Sequence, residues 1–98
     1  MSEPLPELSE ALLDRETLER LFVDLDACTR VLDVLLKRGP TRRTDGRPVG
    51  LGEARDLLLT GEVRGLQIRY LYQGVEWRDT LLRTPEGVRL VRMQMEHG

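Results

Sequence analysis

Asp79 is the residue of this sequence that most suggests chemistry. It lies between Trp77 and Leu81 in a segment where apolar and polar residues alternate. This alternation predicts a β-strand that places Asp79 on the same face as these two apolar residues. A carboxylate on an apolar face is costly unless it is paired, so Asp79 is a candidate for a catalytic acid or base.

Two structural explanations of Asp79 stay open beside that hypothesis. In the first, the carboxylate accepts hydrogen bonds from backbone N–H groups or from a Tyr or Arg side chain. In the second, the strand register differs by one residue and Asp79 pairs with Arg69 in solvent, since such a shift moves every side chain to the other face.

Arginine supplies fourteen of the fifteen basic residues of the chain. The guanidinium group suits planar recognition of carboxylate and phosphate, which favours binding of an anion or of an acidic partner. A GC-rich genome produces the same excess of Arg, so composition alone does not separate the two explanations. The candidate binding residues are Arg42, Arg43 and Arg47 in a predicted loop and Arg69, Arg78 and Arg92 on predicted strands.

The charges of the chain are unevenly distributed. The net charge is −2, but residues 1–28 carry −6 and residues 29–98 carry +4. Surfaces of opposite charge steer association. The distribution therefore favours self-association or a protein partner.

Motifs for other chemistries are absent from the sequence. His97 is the only histidine and Cys28 the only cysteine, so neither a Cys-His pair nor a disulfide within the chain is expected. No glycine-rich phosphate loop and no metal-ligand spacing occur, and we predict no cofactor and no metal. Cys28 is expected to be a small buried residue on an apolar helix face.

The first predicted helix covers residues 14–28. Asp14 is a good N-cap, and Leu13 and Leu18 stand at the positions of a hydrophobic staple around it. Residues 1–12, which contain two prolines, are expected to form a flexible arm.

The segment that follows this helix has two interpretations. Its apolar spacing allows the helix to continue to about residue 38. A strand over residues 30–37 is favoured, because Val31 and Val34 prefer β-structure. In that strand Leu32, Val34 and Leu36 face inward. A loop over residues 38–50 and a short helix over residues 51–60, with Gly61 as its C-terminal cap, come next.

The last third of the chain predicts a three-stranded meander over residues 64–95. Gln73-Gly74 closes a two-residue hairpin, and Pro85-Glu86-Gly87 forms a three-residue loop. The predicted inner face consists of Leu66, Ile68, Tyr70, Tyr72, Val75, Trp77, Asp79, Leu81, Val91, Met93 and Met95. The predicted outer face consists of Gln67, Arg69, Arg78, Thr80, Arg92 and Gln94, together with Leu71, Leu82 and Leu90.

These elements predict one α+β domain over residues 13–96. Its antiparallel sheet has three to four strands and two helices on one face, in the order α-β-α-β-β-β. The short apolar runs exclude a membrane span, and the acidic N-terminus and lone cysteine favour the cytoplasm.

Three functions follow as hypotheses. The first is a small non-enzymatic interaction or accessory protein that self-associates or binds a protein partner. The second is binding of nucleic acid or another polyanion through loop 38–47 and the outer sheet face. The third is a small enzyme that uses Asp79.

Overall fold

The described part of the chain forms a five-stranded antiparallel sheet with two helices on one face. The computed structural model describes residues 8–37 and 49–95 of the chain. The elements are β1 (Leu8–Leu13), α1 (Arg15–Cys28), β2 (Arg30–Lys37), α2 (Leu51–Thr60), β3 (Gly65–Tyr72), β4 (Val75–Thr84) and β5 (Gly87–Gln94). The strands lie in the spatial order β1-β5-β4-β3-β2.

The predicted α+β class with an antiparallel sheet and two helices is confirmed, but the number and order of strands need correction. Residues 8–12 of β1 lie within the segment predicted as a flexible arm, and β1 pairs with β5 at the edge of the sheet. The order is therefore β-α-β-α-β-β-β rather than α-β-α-β-β-β. Residues 1–7 of the predicted arm lie outside the described residues.

α1 begins where the sequence predicts. The Oδ1 atom of Asp14 accepts a hydrogen bond of 2.8 Å from the backbone N–H of Thr17, and this bond caps the helix. Leu13 and Leu18 are both buried on either side of the cap. The prediction for Cys28 is wrong, because this last helical residue is exposed where the chain leaves the helix for β2.

β2 is a strand, which resolves the two interpretations of residues 30–37 in favour of the strand. Its pairing with β3 shifts by one residue between Val31 and Asp33. This β-bulge leaves Leu32 exposed, although the alternating pattern predicts it to face inward. Beyond the bulge Val34 is half-buried and Leu36 is buried, as predicted.

α2 has the bounds that the sequence predicts, and Gly61 caps it in the left-handed conformation with φ of 87°. Arg83 on β4 also stabilises its C-terminal end. The Nη1 atom of Arg83 donates hydrogen bonds to the carbonyl oxygens of Leu58 and Leu59, at 2.7 and 3.2 Å. A cation at this end of a helix is favoured by the helix dipole.

The predicted register of β3 with β4 is confirmed. Tyr70 lies opposite Trp77, and Ile68 lies opposite Asp79. The turn at Gln73-Gly74 has positive φ angles of 54° and 80° at these two residues, as a two-residue hairpin requires.

The predicted register of β4 with β5 is wrong by one residue. Only Pro85 and Glu86 form the turn, and Thr84 lies opposite Gly87. Asp79 therefore lies opposite Arg92 rather than Met93, and Trp77 lies opposite Gln94 rather than Met95. The one-residue difference moves the whole strand: Leu90 and Arg92 are buried on the inner face, and Met93 is 43% exposed.

The core lies between the inner face of the sheet and the two helices. Its buried apolar residues are Leu13, Leu18, Phe22, Leu25, Leu36, Ala54, Leu58, Val63, Leu66, Ile68, Tyr70, Trp77, Leu81 and Leu90. Within the described ranges, neither helix is long and apolar enough to cross a membrane.

Candidate functional site

Asp79 lies in the core with two polar partners. The Nε and Nη2 atoms of Arg92 donate hydrogen bonds to Oδ1 and Oδ2 of Asp79, at 2.9 and 2.8 Å. The hydroxyl of Tyr70 donates a third hydrogen bond of 2.9 Å to Oδ1. Tyr70 and Asp79 have no solvent exposure, and Arg92 is 8% exposed. We call these three residues the Asp79 cluster.

The protonation states within the Asp79 cluster follow from burial and from the two opposite charges. Burial, together with the negative charge of Asp79, raises the pKa of the Tyr70 hydroxyl far above its usual value. Burial alone would lower the pKa of Arg92, but the hydrogen bonds and the charge of Asp79 outweigh it and raise that pKa. The cluster therefore holds a neutral tyrosine and a charged arginine against the carboxylate.

This geometry corresponds to the first structural explanation of Asp79, a carboxylate held by Tyr and Arg side chains. Both carboxylate oxygens are occupied, and the residue has no surface in contact with solvent. A general acid or base must come within hydrogen-bond reach of its substrate. Catalysis by Asp79 stays a prediction. The hydrogen bonds from Tyr70 and Arg92 explain the burial of Asp79 without a catalytic role.

Arg92 does not belong to the outer sheet face on which the sequence predicts it. The alternating pattern misplaces Arg92 because it is combined with a predicted turn of three residues, whereas the turn has two. Its partner could have been found from one signal in the sequence. A two-residue turn at Pro85-Glu86 places Arg92 opposite Asp79, which gives the buried carboxylate an opposite charge.

The outer sheet face is the surface that the helices leave uncovered. It combines half-buried polar residues on the central strands with exposed apolar side chains. The exposed apolar residues on this face include Leu35, Leu82 and Met93, at 44, 39 and 43%. Single exposed apolar residues are normal on protein surfaces, and these three lie on three different strands of the face.

Arg69 and Arg78 lie directly opposite each other on this face, in β3 and β4. Arg69 is neutralised by Glu76, whose Oε2 atom lies 3.0 Å from Nη1 of Arg69. Arg78 has no acidic partner among the described residues, and its Nε atom is shielded from solvent without a hydrogen-bond partner there. Arg78 is therefore a cation of the outer face that has no ion-pair partner among the described residues.

The other predicted binding residues do not join this pair. Arg42, Arg43 and Arg47 lie outside the described residues. A cleft of about 340 Å³ lies at the far end of the sheet, between the start of α1, the end of α2 and the β4–β5 turn. Arg83 lines this cleft, but its guanidinium group already donates to a backbone carbonyl oxygen of α2. Arg83 is therefore not free to bind an anion there.

Residues 8–37 and 49–95 contain no group of three His, Cys, Asp or Glu side chains placed to hold a metal ion. Comparison of the chain with protein-family models, curated proteins and solved structures gave no match. The site must therefore be interpreted from its own geometry, in which the outer sheet face offers the exposed candidate.

Proposed function

We propose that the protein is a small non-enzymatic interaction protein that binds an acidic protein partner through its outer sheet face. The observation that carries the proposal is Arg78, a cation on a partly apolar surface that has no ion-pair partner among the described residues. A carboxylate from a partner would neutralise the charge of its guanidinium group.

The surroundings of Arg78 suit a protein partner. Met93 lies opposite Arg78 on β5, and Leu82 lies four residues further along β4 on the same face. Met and Arg are enriched in protein interfaces, where apolar contacts supply area and a few charged pairs supply specificity. An acidic segment with apolar flanks matches this composition.

The same face fits nucleic acid less well. Single-stranded RNA and DNA bind sheets whose exposed aromatic side chains stack on the bases. Tyr70 and Trp77 are buried on the inner face instead. Arg69 is already paired with Glu76, and Arg92 is in the core.

The test is capture and reconstitution with matched variants. The protein is immobilised, and proteins retained from an extract of the source cells are identified by mass spectrometry. Each one is then purified and titrated by calorimetry against wild type, Arg78→Glu and a control, Val23→Glu. Val23 is 60% exposed on α1, on the other side of the molecule.

We expect one acidic protein whose affinity falls at least about tenfold with Arg78→Glu, because this variant reverses an interfacial charge. The control variant should bind like wild type. Equal affinity of wild type and Arg78→Glu would overturn the proposal. Tighter binding of short DNA or RNA oligonucleotides, with a steep dependence on salt, would instead assign the face to nucleic acid.

A further inference from the structure

β2 is an edge strand that pairs, within the described residues, only with β3. An edge strand offers unpaired N–H and C=O groups to another chain. The part of β2 beyond the bulge, residues 33–37, carries an exposed Leu35 between Asp33 and Lys37. We call this part the β2 edge segment.

The backbone of the β2 edge segment has a defined orientation. Tyr72 and Val75 flank the two-residue turn and form a hydrogen-bonded pair. Counting back from Tyr72 along β3, every second residue therefore directs its N–H and C=O toward β4. The residues between them, including Gln67 and Gly65, direct theirs toward Leu35 and Lys37 on β2. In agreement, the carbonyl of Lys37 accepts a 3.0 Å hydrogen bond from Arg64.

The alternate residues of β2 must then face the free edge. In an antiparallel strand the N–H and C=O of one residue point to the same side, and successive residues alternate. Val34 and Leu36 therefore present their backbone groups away from β3. These are the groups that a further strand would bind.

We infer that a second copy of this chain pairs with the β2 edge segment, antiparallel, with Leu35 opposite Leu35 of that copy. In this register Asp33 lies opposite Lys37 of the second copy, and the reverse pair forms by symmetry. Val34 and Leu36 of the two copies exchange the backbone hydrogen bonds. On the outer face, Leu35 of the two copies thus forms an apolar contact that is flanked on each side by a pair of Asp33 and Lys37.

Other registers lose this complementarity. A shift that pairs Asp33 with itself, or Lys37 with itself, places like charges opposite each other, which is destabilising. Registers centred on Val34 or Leu36 place each charge opposite an apolar residue or beyond the segment. A shift by an odd number of residues would place the inner face of one copy beside the outer face of the other.

The bulge limits the strength of this dimer. It interrupts β2 between Val31 and Asp33, so only the short straight part of the strand is free to pair. Stable dimers bury larger interfaces than such a segment offers. We therefore expect a weak, reversible dimer, which joins two five-stranded sheets into one and places both outer sheet faces on the same side.

The experiment uses charge exchange between the two positions. Wild-type protein should shift from the 11.3 kDa monomer toward twice that mass as its concentration rises to the submillimolar range, measured by sedimentation equilibrium. Asp33→Lys and Lys37→Asp should each raise the dissociation constant of the dimer about tenfold, because both symmetric pairs become like charges. The double variant, Asp33→Lys with Lys37→Asp, should restore the wild-type value.

Mixing the two single variants provides the sharpest readout. One copy then presents two lysines and the other two aspartates, so the mixture should dimerise about as tightly as wild type, about tenfold more tightly than either variant alone. Circular dichroism confirms that each variant is folded. A monomer at every concentration, or a mixture that remains monomeric, would overturn the inference.

Amide exchange distinguishes this dimer from binding through the outer sheet face. Dimerisation should protect the N–H groups of Val34 and Leu36, while those of Leu35 and Lys37 are protected in the monomer as well. Arg78→Glu should leave dimerisation unchanged. Suppose instead that Arg78→Glu abolishes the dimer, and that the wild-type dimer shows no added protection of the Val34 and Leu36 N–H groups. The contact then lies on the outer sheet face and the β2 pairing is wrong. This inference does not depend on the proposed acidic partner.

Discussion

Arg92 and Asp79 lie opposite each other on neighbouring strands, and their side chains are joined by two hydrogen bonds inside the core. This pair links the chemistry of the core to the register of the β4–β5 hairpin. A shift by one residue would place Met93 opposite Asp79 and expose Arg92, which would leave a buried carboxylate without its counter-charge. The pair therefore favours the observed hairpin over its nearest alternative.

Removal of Arg92 alone should be strongly destabilising. Arg92→Leu is expected to lower the free energy of unfolding by about 3–5 kcal/mol, because Asp79 stays buried without an opposite charge. The triple variant Tyr70→Phe, Asp79→Leu, Arg92→Leu should lose much less, since no polar group is then left unpaired. Urea denaturation followed by Trp77 fluorescence measures both.

The exposed pair of Arg15 and Glu19 is the control for this prediction. Its atoms lie 3.0 Å apart, but Arg15 is largely in solvent. Arg15→Ala should therefore change the free energy of unfolding by less than about 1 kcal/mol. A comparable loss for Arg15→Ala and Arg92→Leu would contradict the role given to the buried pair.

Stability should fall at alkaline pH because of Tyr70. The tyrosine of the unfolded chain ionises near pH 10, whereas burial raises the pKa of Tyr70 in the folded protein. The contribution of Tyr70 is thus complete below about pH 10, and it decreases above that pH at up to about 1.4 kcal/mol per pH unit. Tyr70→Phe should show a shallower decrease in chemical denaturation between pH 9 and 11, and an unchanged slope would contradict this assignment.

Asp14 should make the stability of α1 depend on acidic pH in the opposite direction. The hydrogen bond from Thr17 lowers the pKa of the Asp14 carboxyl. Its contribution is present above the unfolded pKa of about 4 and is lost as the pH falls through the lower, folded pKa. Asp14→Asn keeps a capping oxygen without titrating, so its melting temperature should depend less on pH in this range; Asp14→Ala should lose the cap at every pH.

Two glycines should respond oppositely to substitution by alanine. A Cβ atom on Gly65 would lie 2.4 Å from the backbone oxygen of Leu81, so Gly65→Ala should destabilise the protein by at least about 1–3 kcal/mol through overpacking. Gly52 lies in α2 with nothing within 4 Å of its Cβ position. Gly52→Ala should stabilise the protein by about 0.5–1 kcal/mol. Thermal unfolding of the two variants tests both signs.

The elements that could be predicted from the sequence are those whose structure is set by residues close together in the chain. The cap at Asp14, the glycine at position 61 and the Gln73-Gly74 turn mark their elements correctly, because each is set by neighbouring residues. β1 was not predicted because its own residues carry no such local pattern. It is an edge strand with Ala11 and Leu12 exposed, so its sequence lacks the alternation that marks a half-buried strand.

The candidate site was harder to predict because it depends on a distant pairing. Pro85-Glu86-Gly87 fits both a two-residue and a three-residue connection, and local turn rules do not choose between them. The choice follows from Arg92, which compensates Asp79 in only one of the two registers. The register also decides the composition of the outer sheet face. Arg69 and Arg78 belong to this face, whereas Arg92 and Leu90 are buried on the inner face.

The pairing of β1 with β5 also bears on how the sheet forms during synthesis. Of the five described strands, β1 is made first, and its partner in the sheet, β5, is made last. The hairpins of β3, β4 and β5 form between neighbouring segments, whereas β1 cannot pair in this sheet until β5 has been synthesised. A nascent chain halted before β5 would carry β1 and β4 as two open edges. Completion of this sheet is therefore a late event that depends on its last eight residues.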